Sequence, residues 1–338
     1  MTIDQLNELT KTFPTPFILF DEKAIRDNMK KFNKAFSIFP KFREHYAVKA
    51  GPNPYLLKIL AEEGCGADCS SMPELMLSEM SGIKGDHVIF TSNETPAEEY
   101  KLAYKQGNII NLDDITHIEF LKKTLGKLPE TICFRYNPGN EKTGCNSIIG
   151  KPEEAKYGLT RAQILEAYKT CKAEGVKHFG LHTMVASNEL NPDFFVDTAK
   201  LVFELAAEVK EKCGVQIEFV DLGGGIGIPY KPGDKEVHLD YVAKGIRAEY
   251  DRVVVPAGLD PLAIYWECGR PITGPFGYLV SKAVHEKHIY REYIALDSCM
   301  ADFMQAGCSL QSELGRLLWG LLRLAASLPF VFAIVVRV

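Results

Sequence analysis

Short apolar runs alternate with longer amphipathic stretches along most of the chain. A first run at 16–20 leads into a helical pattern over 21–36. Eight further strand-type runs follow at 45–49, 67–71, 87–91, 109–112, 131–136, 178–182, 217–222 and 262–267. Most are bounded by glycine, proline, asparagine or serine, as strands are. Between them lie segments of helical period, such as 54–63, 73–81, 96–107, 161–175 and 192–213. Pro54, Pro73, Pro96 and Pro192 open four of these, where a missing N–H costs little. Strand–helix alternation predicts a parallel sheet. Eight units over roughly 250 residues predict a closed α/β fold, the (β/α)₈ TIM-type barrel. A doubly wound open sheet is the alternative, but it needs fewer strands. Its glycine-rich turn also follows the first strand, whereas Gly223–Gly225 come late.

A barrel places function at the carboxyl ends of its strands. Those ends carry Lys49, Asp68, Asn93, Asn111, Arg135, His182, Gly223 to Gly225 and Glu267. Strand ends also meet solvent and are polar for that reason, which accounts for Asn93 and Asn111. Composition narrows the partners. The 338 residues hold 39 Lys and Arg against 44 Asp and Glu, a net charge of -5 with no basic stripe, so nucleic acid is not an expected partner. Residues 1–13 are polar and contain no apolar signal core. Nine cysteines at scattered spacings read as reduced thiols of a cytoplasmic protein. Cys65 and Cys69 have no partner motif, so no metal site is expected.

Lys49 ends an apolar strand, and Gly51-Pro52-Asn53-Pro54 stops the strand at once. Such a lysine either snorkels to solvent or sits in a pocket to form an imine, its pKa lowered by desolvation. The run Asp221-Leu222-Gly223-Gly224-Gly225-Ile226-Gly227 offers uncovered backbone N–H groups, an anion cradle at the position where barrels bind phosphate. A tight turn alone would need one or two of these glycines. Glu267, a carboxylate at the barrel mouth, suits a protonated ring nitrogen, and Arg270 suits a phosphate or carboxylate. The structural alternative pairs Glu267 with Arg270. An imine-forming lysine, a phosphate cradle and a carboxylate for a pyridine nitrogen together make a site for pyridoxal phosphate.

With these residues in place the chain resembles the fold-type III pyridoxal-phosphate decarboxylases, the ornithine, diaminopimelate and arginine decarboxylase group with an alanine racemase-like barrel. Within it the chain is most similar to the diaminopimelate decarboxylases. The resemblance rests on Tyr46-Ala47-Val48-Lys49-Ala50, Gly64-Cys65-Gly66-Ala67-Asp68 with Ser71 and Glu74, and Arg135-Tyr136-Asn137-Pro138-Gly139. It continues through Lys156-Tyr157-Gly158-Leu159, Gly180-Leu181-His182, Gly223-Gly224-Gly225, Glu267-Cys268-Gly269-Arg270 and Leu296-Asp297-Ser298. It implies Lys49 as the Schiff-base lysine and Glu267 as the partner of the pyridine nitrogen. Ser187, Gly223, Gly224, Gly225 and Arg270 would hold phosphate, with Arg270 also meeting substrate. Asp68, Arg135, His182, Met184, Cys268 and Gly269 would complete the cofactor site. Racemases of this fold place arginine where Glu267 stands, so Glu267 points to decarboxylation. The implied reaction converts meso-2,6-diaminopimelate to L-lysine and carbon dioxide, in lysine biosynthesis, in a homodimer whose partner completes the site.

The chain also departs from the family pattern. The family reads His-x-His-Ile-Gly-Ser after the sixth strand. Here His182-Thr183-Met184-Val185-Ala186-Ser187 puts Met184 in the ring-stacking place, and leaves His182 as a polar contact or a core histidine. Cys268 replaces a more usual proline, and Gln305 stands where a substrate-binding arginine is expected. From Cys308 the composition turns leucine-rich and nearly free of acid, which reads as a truncated or frame-altered C-terminus lacking the partner-donated Cys-Glu motif. A membrane span over 317–336 is the lesser reading. The expected organisation is an N-terminal segment 1–30, a cofactor-binding barrel 31–275, the start of a β-domain 276–307 and an atypical tail 308–338. Sister decarboxylases of ornithine, arginine, D-amino acids or carboxynorspermidine, and a non-catalytic homologue, are the functional alternatives.

Overall fold

The computed structural model describes residues 3–142, 154–230, 233–290 and 292–299. The tail 308–338, the span reading within it and Gln305 lie outside the described residues. Two compact units form, one from Arg26–Ile272 and the other from the residues on either side of that stretch.

In the flanking unit, β1 (Phe17–Phe20) is followed by the helix starting at Glu22. Eight strands form the Arg26–Ile272 unit: β2 (Phe42–Ala47), β3 (Gly66–Cys69), β4 (Val88–Ser92), β5 (Ile109–Leu112), β6 (Thr131–Tyr136), β7 (His178–Thr183), β8 (Ile217–Asp221) and β9 (Ala263–Trp266). They pair in parallel, in chain order, and close as a barrel, β2 against β9 through Phe42↔Ile264, Arg43↔Tyr265 and Glu44↔Trp266. The predicted barrel is therefore observed. Its first strand begins three residues before the predicted run at 45–49, because Phe42 to Glu44 supply the closing pairs. Arg43 and Glu44 break the apolar pattern there and hide the strand from hydropathy. The strand also ends sooner: Val48–Ala50 is a single 3₁₀ turn, which moves Lys49 off the strand and onto the rim.

Local signals explain the helices. Asn53 accepts from the N–H groups of Tyr55 and Leu56 with Pro54 behind it, and Thr160 with Gln163 forms a capping box on Arg161–Ala173. Gly214, left-handed at φ 60°, ends the long helix Pro192–Cys213. Ile89, Ile109, Cys133, Phe219, Ala263 and Tyr265 pack together inside the barrel. Outside it, Trp266 packs against Phe36 and Phe195, each ring 5.7 Å away. Each large side chain buried in this way contributes roughly 1.5–3 kcal/mol.

The flanking unit pairs β1 antiparallel with β10 (Gly277–Val280), then adds the hairpin of β11 (Ala283–His288) and β12 (Glu292–Leu296). Asp297 ties it together: its carboxylate accepts from the Ser281 hydroxyl and the Lys282 N–H, both at 2.8 Å, and from Thr15.

Candidate active site

Every strand of the barrel delivers a polar side chain to one rim or to the layer just beneath it. From β2 the chain turns through Lys49, whose Nζ lies 3.5 Å from Asp68 Oδ2 at the end of β3. The Lys49 side chain is 63% exposed and that of Asp68 4%, so the amine opens to solvent over a buried acid. The Asp68 carboxylate raises the Lys49 pKa, outweighing the opposing effect of burial. Burial and then Glu267 push Asp68 itself up to about 7, with Lys49 pulling it back. The expected desolvated, less basic lysine is corrected here, because the acid beside it decides the sign.

Glu267, after β9, is buried and receives His182 Nε2 at 3.1 Å on Oε2. Burial raises the Glu267 pKa. His182, Lys49 and Arg135 override it and hold the group at about 2. His182 is thus a polar contact inside the site. Its Nδ1 lies 2.9 Å from Asn111 Nδ2, which also donates to Thr91 Oγ1 at 3.0 Å. Asn111, expected to meet solvent, is 1% exposed. Nothing local marks it, since only barrel closure turns it inward. Asn93, immediately after β4, is half-buried. Arg135, on β6, is bound to Asp113 at 3.2 Å and lies over the Tyr157 ring at 4.7 Å.

The glycine run follows β8. A Cβ on Gly223 would lie 2.3 Å from Thr183 O, one on Gly224 2.3 Å from Glu267 O, and one on Gly225 2.4 Å from Ala186 O. Shape alone therefore requires glycine at all three positions, more than the one or two expected of a plain turn. The Gly223 N–H donates to Asp221 Oδ1 at 2.8 Å and the Gly224 N–H to Met184 Sδ at 3.2 Å. Ser187 is half-buried in the loop after β7.

Two turns of this rim are pressed together. The Cys268 N–H donates to Glu44 Oε1 at 2.6 Å, and its carbonyl accepts from the Ala47 N–H at 3.4 Å. Gly269 leaves no room for a Cβ, which would lie 2.5 Å from Ala50 Cβ. The Lys49 turn and the Glu267 turn are held on adjacent strands by this contact. Arg270 opens the short helix Arg270–Thr273 and donates to the Tyr230 hydroxyl. Glu267 pairs with His182 and Arg270 with Tyr230, in place of the Glu267–Arg270 pair that was the structural alternative.

A family model described as the pyridoxal-binding domain of the pyridoxal-dependent decarboxylases matches residues 22–274. The chain belongs to this family. Among curated relatives, Protein TabA of Pseudomonas amygdali pv. tabaci is 35% identical over 302 residues, covering 89% of this chain and 70% of its own. A diaminopimelate decarboxylase of Methanothermobacter thermautotrophicus is 31% identical over 294 residues, covering 86% and 68%. The crystal structure of diaminopimelate decarboxylase from Helicobacter pylori complexed with L-lysine superposes with TM-score 0.80 at 27% identity, covering 89% of this chain and 75% of that one.

The cofactor of these decarboxylases is pyridoxal phosphate, and the rim suits it. Glu267 Oε1 is buried without a hydrogen-bond partner, an acceptor site left for a ring N–H. The Lys49 amine stands open on the turn that follows the neighbouring strand. Among the described residues no helix is long and apolar enough to cross a membrane.

Proposed function

We propose that the protein decarboxylates meso-2,6-diaminopimelate, releasing carbon dioxide and L-lysine. One observation carries the reading: a buried glutamate, anchored by His182 through one oxygen and unpartnered at the other, sits one strand away from an open amine. Bound pyridoxal phosphate supplies an electron sink for the pair left on the substrate carbon when carbon dioxide departs.

The chain's own residues supply the rest. Lys49 is the amine that would attach the cofactor, and Asp68 beside it holds a proton on the amine whenever it is free. Glu267 stays ionised beneath the mouth and holds a proton on the ring nitrogen, which favours decarboxylation over chemistry with a weaker sink. His182 fixes the Glu267 rotamer, and Asn111 with Thr91 fixes the imidazole. Gly223, Gly224, Gly225, Ser187 and Arg270 bind the phosphate. Arg270, bracketed by Tyr230, also meets the substrate. Arg135, Met184, Cys268 and Gly269 line the remainder. The free thiols of the described residues support a cytoplasmic protein. A homodimer is the assembly the family reading implies, and sedimentation measures it.

The relatives named diaminopimelate decarboxylases support this substrate. The resemblance to TabA keeps a different amino acid as the second reading. Protein purified with pyridoxal phosphate is expected to show the visible absorbance of lysine-bound cofactor, lost in Lys49→Ala. Carbon dioxide release is then measured across meso-diaminopimelate, lysine, ornithine and arginine. Release from one of the other three alone removes the substrate assignment, and no absorbance at saturating cofactor removes the enzyme.

A further inference from the structure

Three buried groups from β7, β8 and the end of β9 converge beneath the rim. A ring nitrogen of His182 and one carboxylate oxygen each of Asp221 and Glu267 lie within 4.8 Å of one another. Asp221 is fully buried and Glu267 only 8% exposed. Two of their four carboxylate oxygens have partners: Asp221 Oδ1 accepts from the Gly223 N–H, and Glu267 Oε2 meets His182. Asp221 Oδ2 and Glu267 Oε1 remain, both buried and both without a partner. Two ionised carboxylates cannot share so dry a space. Each unpartnered buried acceptor is destabilising, and their repulsion adds to that.

One proton resolves the conflict, and the surroundings decide who carries it. Glu267 faces the cationic or hydrogen-bonding groups His182, Lys49 and Arg135. Asp221 faces Glu267, Asp68 on β3 and the Gly223 N–H; Glu44 on β2 and Cys133 on β6 lie within its field. Burial, then Glu267, raises the Asp221 pKa well above the usual carboxylate range.

We propose that Asp221 is a neutral carboxylic acid that donates its proton to Glu267, making it the positioning residue of the ring-nitrogen carboxylate. The pair then carries a single negative charge, which matches one protonated ring nitrogen. Glu267 Oε1 keeps a second lone pair for that nitrogen. The use of the pair rests on the cofactor reading above, but the shared proton does not.

The test therefore begins with cofactor-free protein. Infrared spectra of protein labelled with carboxyl-¹³C aspartate are expected to show, at neutral pH, a protonated-carboxyl band that Asp221→Asn removes, while any share from Asp68 stays in both proteins. A wild-type spectrum with no such band overturns the proposal. Asparagine keeps the acceptor for Gly223 and a donor toward Glu267. Asp221→Asn is accordingly expected to bind pyridoxal phosphate within about twofold of wild type, with the pH titration of the lysine-bound absorbance unmoved. Asp221→Ala should weaken binding at least about tenfold, the loss of one buried hydrogen bond. A titration midpoint displaced by about one unit or more in Asp221→Asn means an ionised Asp221 and overturns the proposal. So does stoichiometric Zn²⁺ or Mn²⁺ binding to wild type that Asp221→Asn abolishes, since the trio would then be a cation site. If the alanine variant does not fold, the infrared and asparagine arms decide. If neither protein binds cofactor, the function reading fails while the infrared band still judges the pair.

Discussion

At Lys49 the neighbouring acid outweighs burial, so the free amine that the proposed function would set against the cofactor aldehyde is the minority form near neutral pH. The sign follows directly. Raising pH frees the amine, so cofactor attachment should accelerate by about tenfold per pH unit until the raised pKa is reached. Asp68→Asn removes the charge that holds the proton, and should speed attachment at neutral pH and bring its plateau to lower pH. Stopped-flow absorbance measures both; an unchanged profile would mean that Asp68 does not govern the amine. Met184 poses a second residue-scale question. Its sulfur, a weak acceptor, occupies the Gly224 N–H that a phosphate oxygen would use. Met184→Leu keeps the bulk and removes the acceptor, and should tighten pyridoxal phosphate by roughly two- to tenfold in a fluorescence titration. Weaker binding by the leucine variant would show the sulfur to be a cofactor contact instead. Asn111 shows where residue-level reading ends. Its type suits a wet strand end, and only its neighbours on β4 and β7 reveal it as the support of His182.

Among the elements, strands with weak hydropathy signals proved the most informative. β2 was legible from His45 onward, but its first half carries Arg43 and Glu44 and became a strand only by pairing with β9. The glycine run reads as an anion cradle, yet its crowding against Thr183, Glu267 and Ala186 would demand the same residues without any anion. Gly180 on β7 makes a related demand inside the barrel, where an added Cβ would lie 2.0 Å from the Phe219 ring. Gly180→Ala should cost about 1–3 kcal/mol or more through overpacking, read as a lowered unfolding midpoint. Phe219→Leu in the same chain should recover part of that loss. Equal stability of Gly180→Ala and wild type would mean that the ring has room to move.

Across the whole barrel, the rim is a census of the ring. Thr91, Asn111, Arg135, His182 and Asp221 lie on successive strands β4 to β8, Glu267 and Lys49 just after β9 and β2, and Asp68 on β3. No pair of neighbouring positions in the chain makes the site, and partial folding of the ring would leave its charges unmatched. The sequence by itself determined the alternation of strands and helices, the barrel it closes into and the residue types at the rim, because burial period and turn chemistry are local properties. Tertiary structure alone decided which group answers which: Asp68 for Lys49, His182 for Glu267, Tyr230 for Arg270, and a second acid for Glu267. Those assignments depend on distances across a closed ring between residues far apart in the chain, and electrostatic effects follow distance and burial, which no local pattern encodes.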